Sequence, residues 1–349
     1  MKRGIEPRRG LARAPISLPE NRKGKLRLDM NESALGCSPR VRAALRHLDA
    51  ESLAMYPEKG VAIARMAPYF GIRPPEMLLS NGIDDALRLI ADAFLEPRDS
   101  VLLVEPTFPM YRFFAEQRDA RVRSLRYDHA LQFPLEGAID ALRASPSIFF
   151  LANPNNPTGT LLAKSDLKKI LNAAKHTLVI VDEAYYEFAG VTALPWIRLY
   201  KNLIVTRTFS KVTGLAGLRL GCIFAHREVA QVLRRAESPF PVSIAAIAAA
   251  EAALRDRAFI RRSARQIVRN RQYLEDRLVR LGAKVTPSAA NFVLADFGAR
   301  APRIVSALAR KTILVRDFAH AFGRPGFVRI TVGTRAQMKR LLAALERLI

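Results

Sequence analysis

Short apolar runs alternate with longer amphipathic stretches along the chain from about Leu78. Short runs rich in β-branched and aromatic residues predict strands, and apolar residues that recur every three or four positions predict helices. Because the short runs are apolar at consecutive positions, we expect a largely parallel sheet covered by helices on both faces. The predicted strands are VLLVEP from Val101, SIFFLANP from Ser147, LVIVDEAY from Leu178, NLIVTRTFS from Asn202 and LRLGCIFA from Leu218.

Helical periodicity fills the intervals between these strands. One predicted helix reads DDALRLIADAFLEP, and another, SDLKKILNAAKHT, opens on Ser165, which we expect to be its N-cap. After Pro241, two long amphipathic stretches predict helices that lead out of the sheet, and the rest of the chain mixes strand and helix patterns. The sequence therefore predicts a large α/β domain over residues 28–255 and a smaller α+β domain over residues 256–349. For the first part of the large domain, about residues 28–50, packing against the smaller domain is an alternative.

The composition indicates a globular protein. Of 349 residues, 50% are hydrophobic and 25% are charged, and no apolar run approaches the roughly 18 residues that cross a bilayer. The pair Arg8-Arg9 is not followed by the apolar segment of an export signal. Cys37 and Cys222 cannot build a disulfide framework and have no metal-ligand spacing. We expect a cytoplasmic protein with no membrane partner and no bound metal.

The chain is strongly basic, with a formal net charge of +24. Such a charge raises the possibility of a nucleic-acid partner, but acidic residues are interleaved with the basic ones and no nucleic-acid-binding motif is present. We therefore expect a solvated basic surface and no nucleic-acid partner. Residues 1–27 hold nine basic and two acidic side chains together with three prolines, and are predicted to form an extended basic arm.

Polar clusters follow three of the predicted strands. NPNNPTG begins at Asn153, the sequence DEAY begins at Asp182, and Ser210-Lys211 follows the third strand. Ligands in open α/β sheets bind at the carboxyl ends of strands, so these side chains are expected to converge on one pocket. Each cluster alone is also typical of a turn, a helix cap or a surface lysine.

The order and spacing of four residues carry more information. Asp182 follows Asn156 by 26 positions, Lys211 follows Asp182 by 29, and Arg219 follows Lys211 by eight. In this arrangement the chain resembles the fold-type I, pyridoxal-phosphate-dependent aminotransferases from about Leu28 to its end. The resemblance implies a mostly parallel seven-stranded sheet flanked by helices, a smaller C-terminal domain, pyridoxal 5'-phosphate (PLP) as cofactor, and a homodimer with shared active sites.

The resemblance also assigns the residues around the cofactor ring. Lys211 binds the cofactor through its amine and later transfers protons, and partial burial beside a cation lowers a lysine pKa in the direction this chemistry needs. Asp182 keeps the ring nitrogen protonated. Asn156 and Tyr185 donate hydrogen bonds to the phenolic oxygen of the ring, and Phe108 stacks on its face.

The cofactor phosphate needs backbone donors at a helix N-terminus and a fixed positive charge. By resemblance the donors are the amides of Ile83 and Asp84, in SNGIDDAL, together with the side chains of Thr208, Ser210 and Arg219. Tyr56, in MYPEKG, matches a tyrosine that reaches the phosphate from the other subunit.

For the substrate, the resemblance points to Arg329 as the carboxylate-binding residue, to Arg316 as a second phosphate or carboxylate contact, and to Asn156. Within the family, LDMNES, AMYPEKG and TRTFSKVTGLAGLRLG are most similar to the histidinol-phosphate aminotransferases. Those enzymes exchange an amino group between glutamate and imidazole acetol phosphate in histidine biosynthesis. The segment NESALG lacks the aromatic residue of many relatives, which leaves an aromatic amino acid aminotransferase or a phosphothreonine-type decarboxylase as alternatives. A DNA-binding protein, or a regulatory module with a degenerate domain, leaves Asp182 and Lys211 unexplained.

Overall fold

A computed structural model describes residues 21–349 of the chain. The predicted basic arm therefore lies mostly outside the described residues. Its last two positions form a short strand, Leu26–Arg27, which pairs in parallel with Ile313–Leu314, and the side chain of Leu26 is buried. These two residues are part of the folded structure.

The strands, numbered in chain order, are β1 (Leu26–Arg27), β2 (Met77–Ser80), β3 (Ser100–Glu105), β4 (Arg121–Arg126), β5 (Ile148–Ala152), β6 (Leu178–Asp182), β7 (Leu203–Thr208), β8 (Gly221–Ala225), β9 (Lys284–Thr286), β10 (Phe292–Asp296), β11 (Ile313–Leu314), β12 (Arg316–Asp317) and β13 (Phe327–Thr331). The helices are α1 (Pro39–Arg46), α2 (Ala50–Ala54), α3 (Lys59–Phe70), α4 (Gly82–Phe94), α5 (Met110–Gln117), α6 (Leu135–Leu142), α7 (Lys164–Ala173), α8 (Tyr186–Ala189), α9 (Arg227–Ala236), α10 (Ile244–Arg255), α11 (Arg257–Arg280), α12 (Ala301–Arg310), α13 (Ala319–Phe322) and α14 (Arg335–Glu346).

The large sheet has seven strands in the order β2-β8-β7-β6-β5-β3-β4. Strands β3 to β7 pair in parallel, and only β8 runs antiparallel to its neighbours β2 and β7. The predicted α/β fold with a mostly parallel seven-stranded sheet is confirmed.

Successive residues of the central strands pack into two separate cores, one on each face of the sheet. In β5, Phe149 and Leu151 pack in a core that also contains residues of α6, α7 and α10. Ile148 and Phe150 of the same strand pack with residues of α4, α5 and α9. Burial on both faces explains why these strands read as unbroken apolar runs rather than as alternating ones.

Helix α7 begins one residue before the predicted N-cap. Its first residue is Lys164 and its N-cap is Ala163, which makes no side-chain capping bond, so the prediction that Ser165 caps this helix is wrong. The amide of Leu162 donates to Oδ1 of Asn153 at 2.8 Å, and this bond holds the chain just before the helix. α7 therefore starts without a side-chain cap, next to a residue whose amide is bonded to Asn153.

The second sheet is antiparallel, in the order β12-β13-β10-β9, and its core includes side chains of α11, α12 and α14. Tyr185 and Phe188, which follow β6, and Val212, which follows β7, pack into this core, as does Leu28. The edge of the large sheet and the small sheet therefore meet at these residues. The exact boundary between two domains stays a prediction.

None of the helices in residues 21–349 is long and apolar enough to cross a membrane.

Candidate active site

The carboxyl ends of β5, β6 and β7 lie side by side because the three strands are parallel neighbours. Their register pairs Ala152 with Asp182, and Asp182 with Thr206. Asn153 directly follows β5, and Lys211 follows β7 by three positions. The sheet thus brings the three polar clusters to one edge, where open α/β sheets bind ligands.

Lys211 is half-buried, and its Nζ donates a hydrogen bond to the backbone oxygen of Met30 at 3.3 Å. The same nitrogen lies 5.8 Å from the centroid of the Tyr185 ring. Burial, followed by the positive charge of Arg329, lowers the pKa of Lys211 to about 8. A larger fraction of this amine is therefore neutral and nucleophilic near neutral pH than in an exposed lysine.

The loop that carries Lys211 packs directly against the segment of residues 30–37. Gly214 has a φ of +72°, and a Cβ added there would overlap the backbone oxygen of Gly36. Only glycine meets both demands without strain. The contact holds the lysine loop under the N-terminal segment that supplies its hydrogen-bond partner.

Asp182 is buried at the end of β6, and both of its carboxylate oxygens accept hydrogen bonds. The hydroxyl of Tyr111 donates to Oδ2 at 2.7 Å, and the amide of Ala184 donates to Oδ1 at 3.1 Å. Burial raises the pKa of Asp182 to about 6, with the hydrogen bonds opposing that rise. A cationic partner placed against this carboxylate would favour its ionised form.

Arg329 lies on β13, is 6% exposed, and reaches Asn156 in the loop that follows β5. Its Nη1 donates to Oδ1 of Asn156 at 2.6 Å, and its Nη2 donates to the backbone oxygen of Asp29 at 2.5 Å. Its buried Nε has no partner among the described residues. Burial lowers the pKa of Arg329 to about 10, so the guanidinium stays charged at neutral pH, with its Nε still free to donate a hydrogen bond.

Asn31 connects Tyr185, which follows β6 of the large sheet, with β13 of the small sheet. Nδ2 of Asn31 donates to the hydroxyl of Tyr185 at 2.9 Å, while Oδ1 of Asn31 accepts from the hydroxyl of Thr331 at 3.1 Å. The Tyr185 ring packs edge-on against Phe292, with centroids 5.2 Å apart. Burial raises the pKa of Tyr185, so the phenol is neutral and its proton is available for donation.

The start of α4 has the features of an anion site. Gly82 opens the helix with a φ of +77°, and a Cβ there would lie 2.5 Å from Nη2 of Arg219. Asn81, the N-cap, makes no side-chain capping bond, so the first-turn amides, including those of Ile83 and Asp84, lack a side-chain cap. Uncapped amides beside a guanidinium suit a phosphate.

The end of β7 lies next to this helix start. Thr208 pairs with Gly221 of β8, and a Cβ on Gly221 would lie 2.8 Å from the backbone carbon of Gly82. The amide of Ser210 donates to Oγ1 of Thr208 at 3.0 Å, and both side chains are buried. Two hydroxyl groups predicted to contact the phosphate thus lie at and just after the end of a strand that touches the start of α4.

Arg219 makes an ion pair with Asp84, with Nη2 and Oδ2 3.1 Å apart. Both side chains are nearly half exposed, at 44% and 47%, so the pair adds little stability. A phosphate at the helix start can therefore take over Arg219 at small cost.

Phe108 lies in the loop after β3 and is half-buried. Its ring meets the ring of Tyr111 edge-on, with centroids 5.6 Å apart. Because Tyr111 is bonded to Asp182, Phe108 belongs to the same neighbourhood as that carboxylate, and its stacking role stays a prediction.

The two remaining predicted residues differ in their surroundings. Arg316 on β12 lies directly opposite Arg329 in the antiparallel register, so two guanidinium-bearing positions are adjacent. Tyr56 is 75% exposed and stacks on Phe240 with centroids 4.2 Å apart. The structure of one chain thus leaves Tyr56 free to face a second subunit.

The structure also adds polar groups that the sequence reasoning missed. Tyr111 binds Asp182, Asn31 binds Tyr185, and the backbone oxygens of Asp29 and Met30 accept bonds from Arg329 and Lys211. The only signal for them was their presence within the motifs EPTFPMY and LDMNES.

The fold and the site together define an aminotransferase. Residues 23–345 match the sequence model of aminotransferase class I and II, and the chain belongs to this family. It is a PLP-dependent transferase with the fold-type I architecture.

More particular relatives come from comparison with single proteins. Histidinol-phosphate aminotransferase from Geobacillus sp. (strain WCH70) is 36% identical over 341 residues, which is 93% of this chain and 90% of the relative. The crystal structure of histidinol-phosphate aminotransferase from Sinorhizobium meliloti in complex with pyridoxal-5'-phosphate is 28% identical, with a TM-score of 0.85 over 93% of this chain and 90% of that one. L-threonine-O-3-phosphate decarboxylase from Porphyromonas gingivalis is 25% identical, with a TM-score of 0.82 over 92% of this chain and 98% of that one.

The residues present fit the cofactor of this family. The helix start at Gly82 is uncapped and has no room for a Cβ beside Arg219, which suits a phosphate group. Asp182 offers a buried carboxylate and Lys211 an amine with a lowered pKa, which suit the ring nitrogen and the aldehyde of PLP. The role of each residue remains a prediction, because the fit rests on their chemistry and placement.

Proposed function

We propose that this protein is a histidinol-phosphate aminotransferase, which interconverts histidinol phosphate plus 2-oxoglutarate with imidazole acetol phosphate plus glutamate. The observation that carries the proposal is the pairing of Arg316 with Arg329 on adjacent strands, with a buried, unpartnered Nε on Arg329. A site that alternates between a dicarboxylate and a phosphate ester needs anion-binding groups that accept both, and guanidinium groups bind either oxyanion bidentately.

The proposed roles of the cofactor-site residues follow from their chemistry. When bound, PLP supplies a carbonyl that condenses with amines and a ring that accepts electron density. Lys211 is placed to bind it and to accept and return a proton through Nζ. Asp182 holds a proton on the ring nitrogen. Tyr185 and Asn156 donate hydrogen bonds to the phenolic oxygen of the cofactor ring.

The phosphate of the cofactor is proposed to bind to the start of α4. The amides of Ile83 and Asp84 donate from the helix terminus, and Arg219 supplies the fixed charge. Ser210 and Thr208 add hydroxyl donors, and Phe108 packs on the ring.

Two observations keep the alternative functions open to test. The ring of Phe318 lies 5.0 Å from the guanidinium of Arg329, where it can pack against an aromatic substrate side chain. The chain shares its fold with the Porphyromonas decarboxylase. The paired arginines of this chain, Arg316 and Arg329, would also suit a phosphorylated amino acid. Both alternatives use the same cofactor site and differ in substrate or in the bond that breaks.

A substrate panel separates these functions. With glutamate as the amino donor, we expect kcat/KM for imidazole acetol phosphate to exceed that for phenylpyruvate by at least about 100-fold, because a lost charged contact costs about 3 kcal/mol. Phosphothreonine should release no CO2. A preference for phenylpyruvate, or release of CO2, would contradict the proposed substrate.

We also propose a homodimer with shared active sites. Four neighbouring apolar side chains are each more than half exposed: Leu53, Met55, Tyr56 and Phe240. Exposed apolar clusters of this kind are typical of interaction surfaces. Tyr56, the residue predicted to reach the partner's phosphate, lies within this cluster.

The cytoplasm is the proposed location, since free thiols persist in reducing compartments.

Mixing two inactive variants tests the shared site. Tyr56→Ala and Lys211→Ala should each abolish most activity alone, whereas re-equilibrating an equal mixture should restore roughly a quarter of wild-type activity. Half of the dimers are then mixed, and one of their two sites carries both native residues. Steady-state rates before and after subunit exchange give the answer, with Leu199→Ala in place of Tyr56→Ala as the exposed control. No recovery in a mixture shown to contain mixed dimers would contradict shared sites.

A further inference from the structure

Tyr111, at the start of α5, is fully buried and bonded to Asp182. Its hydroxyl donates to Oδ2 of Asp182 at 2.7 Å, although 71 positions separate the two residues. The amide of Ala184 occupies the other oxygen at 3.1 Å. Two donors on opposite oxygens fix the plane of this carboxylate before any ligand reaches it.

The tyrosine itself is held rigidly. Its ring stacks on Phe150 with centroids 5.3 Å apart and an interplanar angle of 1°, and it meets Phe108 edge-on. Burial and the charge of Asp182 raise the pKa of Tyr111 well above its ordinary value, so the phenol keeps its proton. The hydroxyl therefore acts as a donor and the carboxylate as the acceptor.

We propose that Tyr111 is a positioning residue, which orients the carboxylate of Asp182 and keeps it ionised for the ring nitrogen of PLP. The inference rests on the proposed role of Asp182. Each hydrogen bond donated to a buried carboxylate offsets part of its desolvation, and rigid orientation leaves its remaining lone pairs aimed in one direction. Phe108 contacts the ring of Tyr111. Tyr111 therefore also connects Phe108, proposed to stack on PLP, with Asp182, proposed to contact its ring nitrogen.

Tyr111→Phe removes the hydroxyl and keeps the ring that packs on Phe150. We expect PLP to bind about 10- to 100-fold more weakly, the range for one hydrogen bond to a charged group. The turnover number should fall by a similar factor while KM for the amino donor changes little, because the carboxylate does not contact that substrate in this scheme. In the holoenzyme, the ¹⁵N resonance of the labelled ring nitrogen should shift towards that of unprotonated pyridine.

Tyr200→Phe is the matched control. The hydroxyl of Tyr200 also donates to a side-chain oxygen at 2.7 Å, that of Asn172, in an exposed position. It should leave PLP affinity, kinetics and the ¹⁵N resonance unchanged. Melting temperatures of both variants show whether each protein is folded.

A double-mutant cycle with Asp182→Asn completes the test. If Tyr111 acts through the carboxylate, Tyr111→Phe should have little further effect in the Asp182→Asn background. An unchanged Tyr111→Phe protein, or an effect of equal size in both backgrounds, would overturn the proposal. If Asp182→Asn itself leaves PLP affinity and the resonance unchanged, the proposed role of Asp182 fails, and the role of Tyr111 fails with it.

Discussion

Replacing Lys211 by alanine is expected to slow transamination by about 10⁴-fold or more while leaving the protein folded. The variant loses both the amine that binds the cofactor and the group that transfers protons. Burial lowers the pKa of Lys211 to about 8, so more of this amine is neutral at neutral pH than in an exposed lysine. Single-turnover rates with glutamate measure the effect.

Lys201→Ala is a suitable control for this experiment. Lys201 is exposed and pairs with Glu228, with Nζ and Oε2 3.2 Å apart, so its loss should leave the rate unchanged. A Lys211→Ala protein whose single-turnover rate stays within tenfold of the wild type would remove Lys211 from the mechanism.

Asp182→Ala should slow turnover by about 10²- to 10⁴-fold, because no carboxylate remains to hold a proton on the cofactor ring. The hydroxyl of Tyr111 loses its acceptor, which costs about 1–3 kcal/mol and lowers the melting temperature without unfolding the protein. Steady-state kinetics at saturating PLP separate this effect from weaker cofactor binding. Asp92→Ala, which removes an exposed carboxylate paired with Arg88, is the control.

An Asp182→Ala enzyme with wild-type turnover would contradict the assignment. Weak activity that recovers fully at high PLP would indicate a role in cofactor affinity alone. Turnover that stays low at saturating PLP is the outcome we expect.

Much of the fold could be predicted because the pattern of apolar residues along the chain indicates which strand faces are buried. The unbroken apolar runs of β5 and β6 indicated strands buried on both faces, and the structure has them there. β4, with the sequence RVRSLR, was missed because it lies at the edge of the sheet, where alternate arginine positions are exposed. β2 was missed because four residues give too short a pattern.

The N-cap error at Ser165 has a different cause. A serine before an amphipathic stretch is a good local signal, but the chain enters α7 in a direction fixed by the bond between Asn153 and Leu162. A bond between a loop side chain and a backbone amide nine positions away cannot be read from local helix propensity.

The candidate site could be predicted only where residues follow strand ends at family spacing. Lys211, Asp182 and Asn156 were found in this way. Tyr111 and Asn31 carry no pattern of their own, since their importance comes from hydrogen bonds across 71 and 154 positions. Such partners become visible only when the packing is known.

The central claim is that Lys211 binds PLP covalently. Borohydride reduction of the holoenzyme, followed by proteolysis and mass spectrometry, tests it most directly. We predict a single pyridoxyl-phosphate adduct on the peptide that contains Lys211, absent from Lys211→Ala. An adduct on another lysine, or no adduct in protein that has bound PLP, would contradict the account.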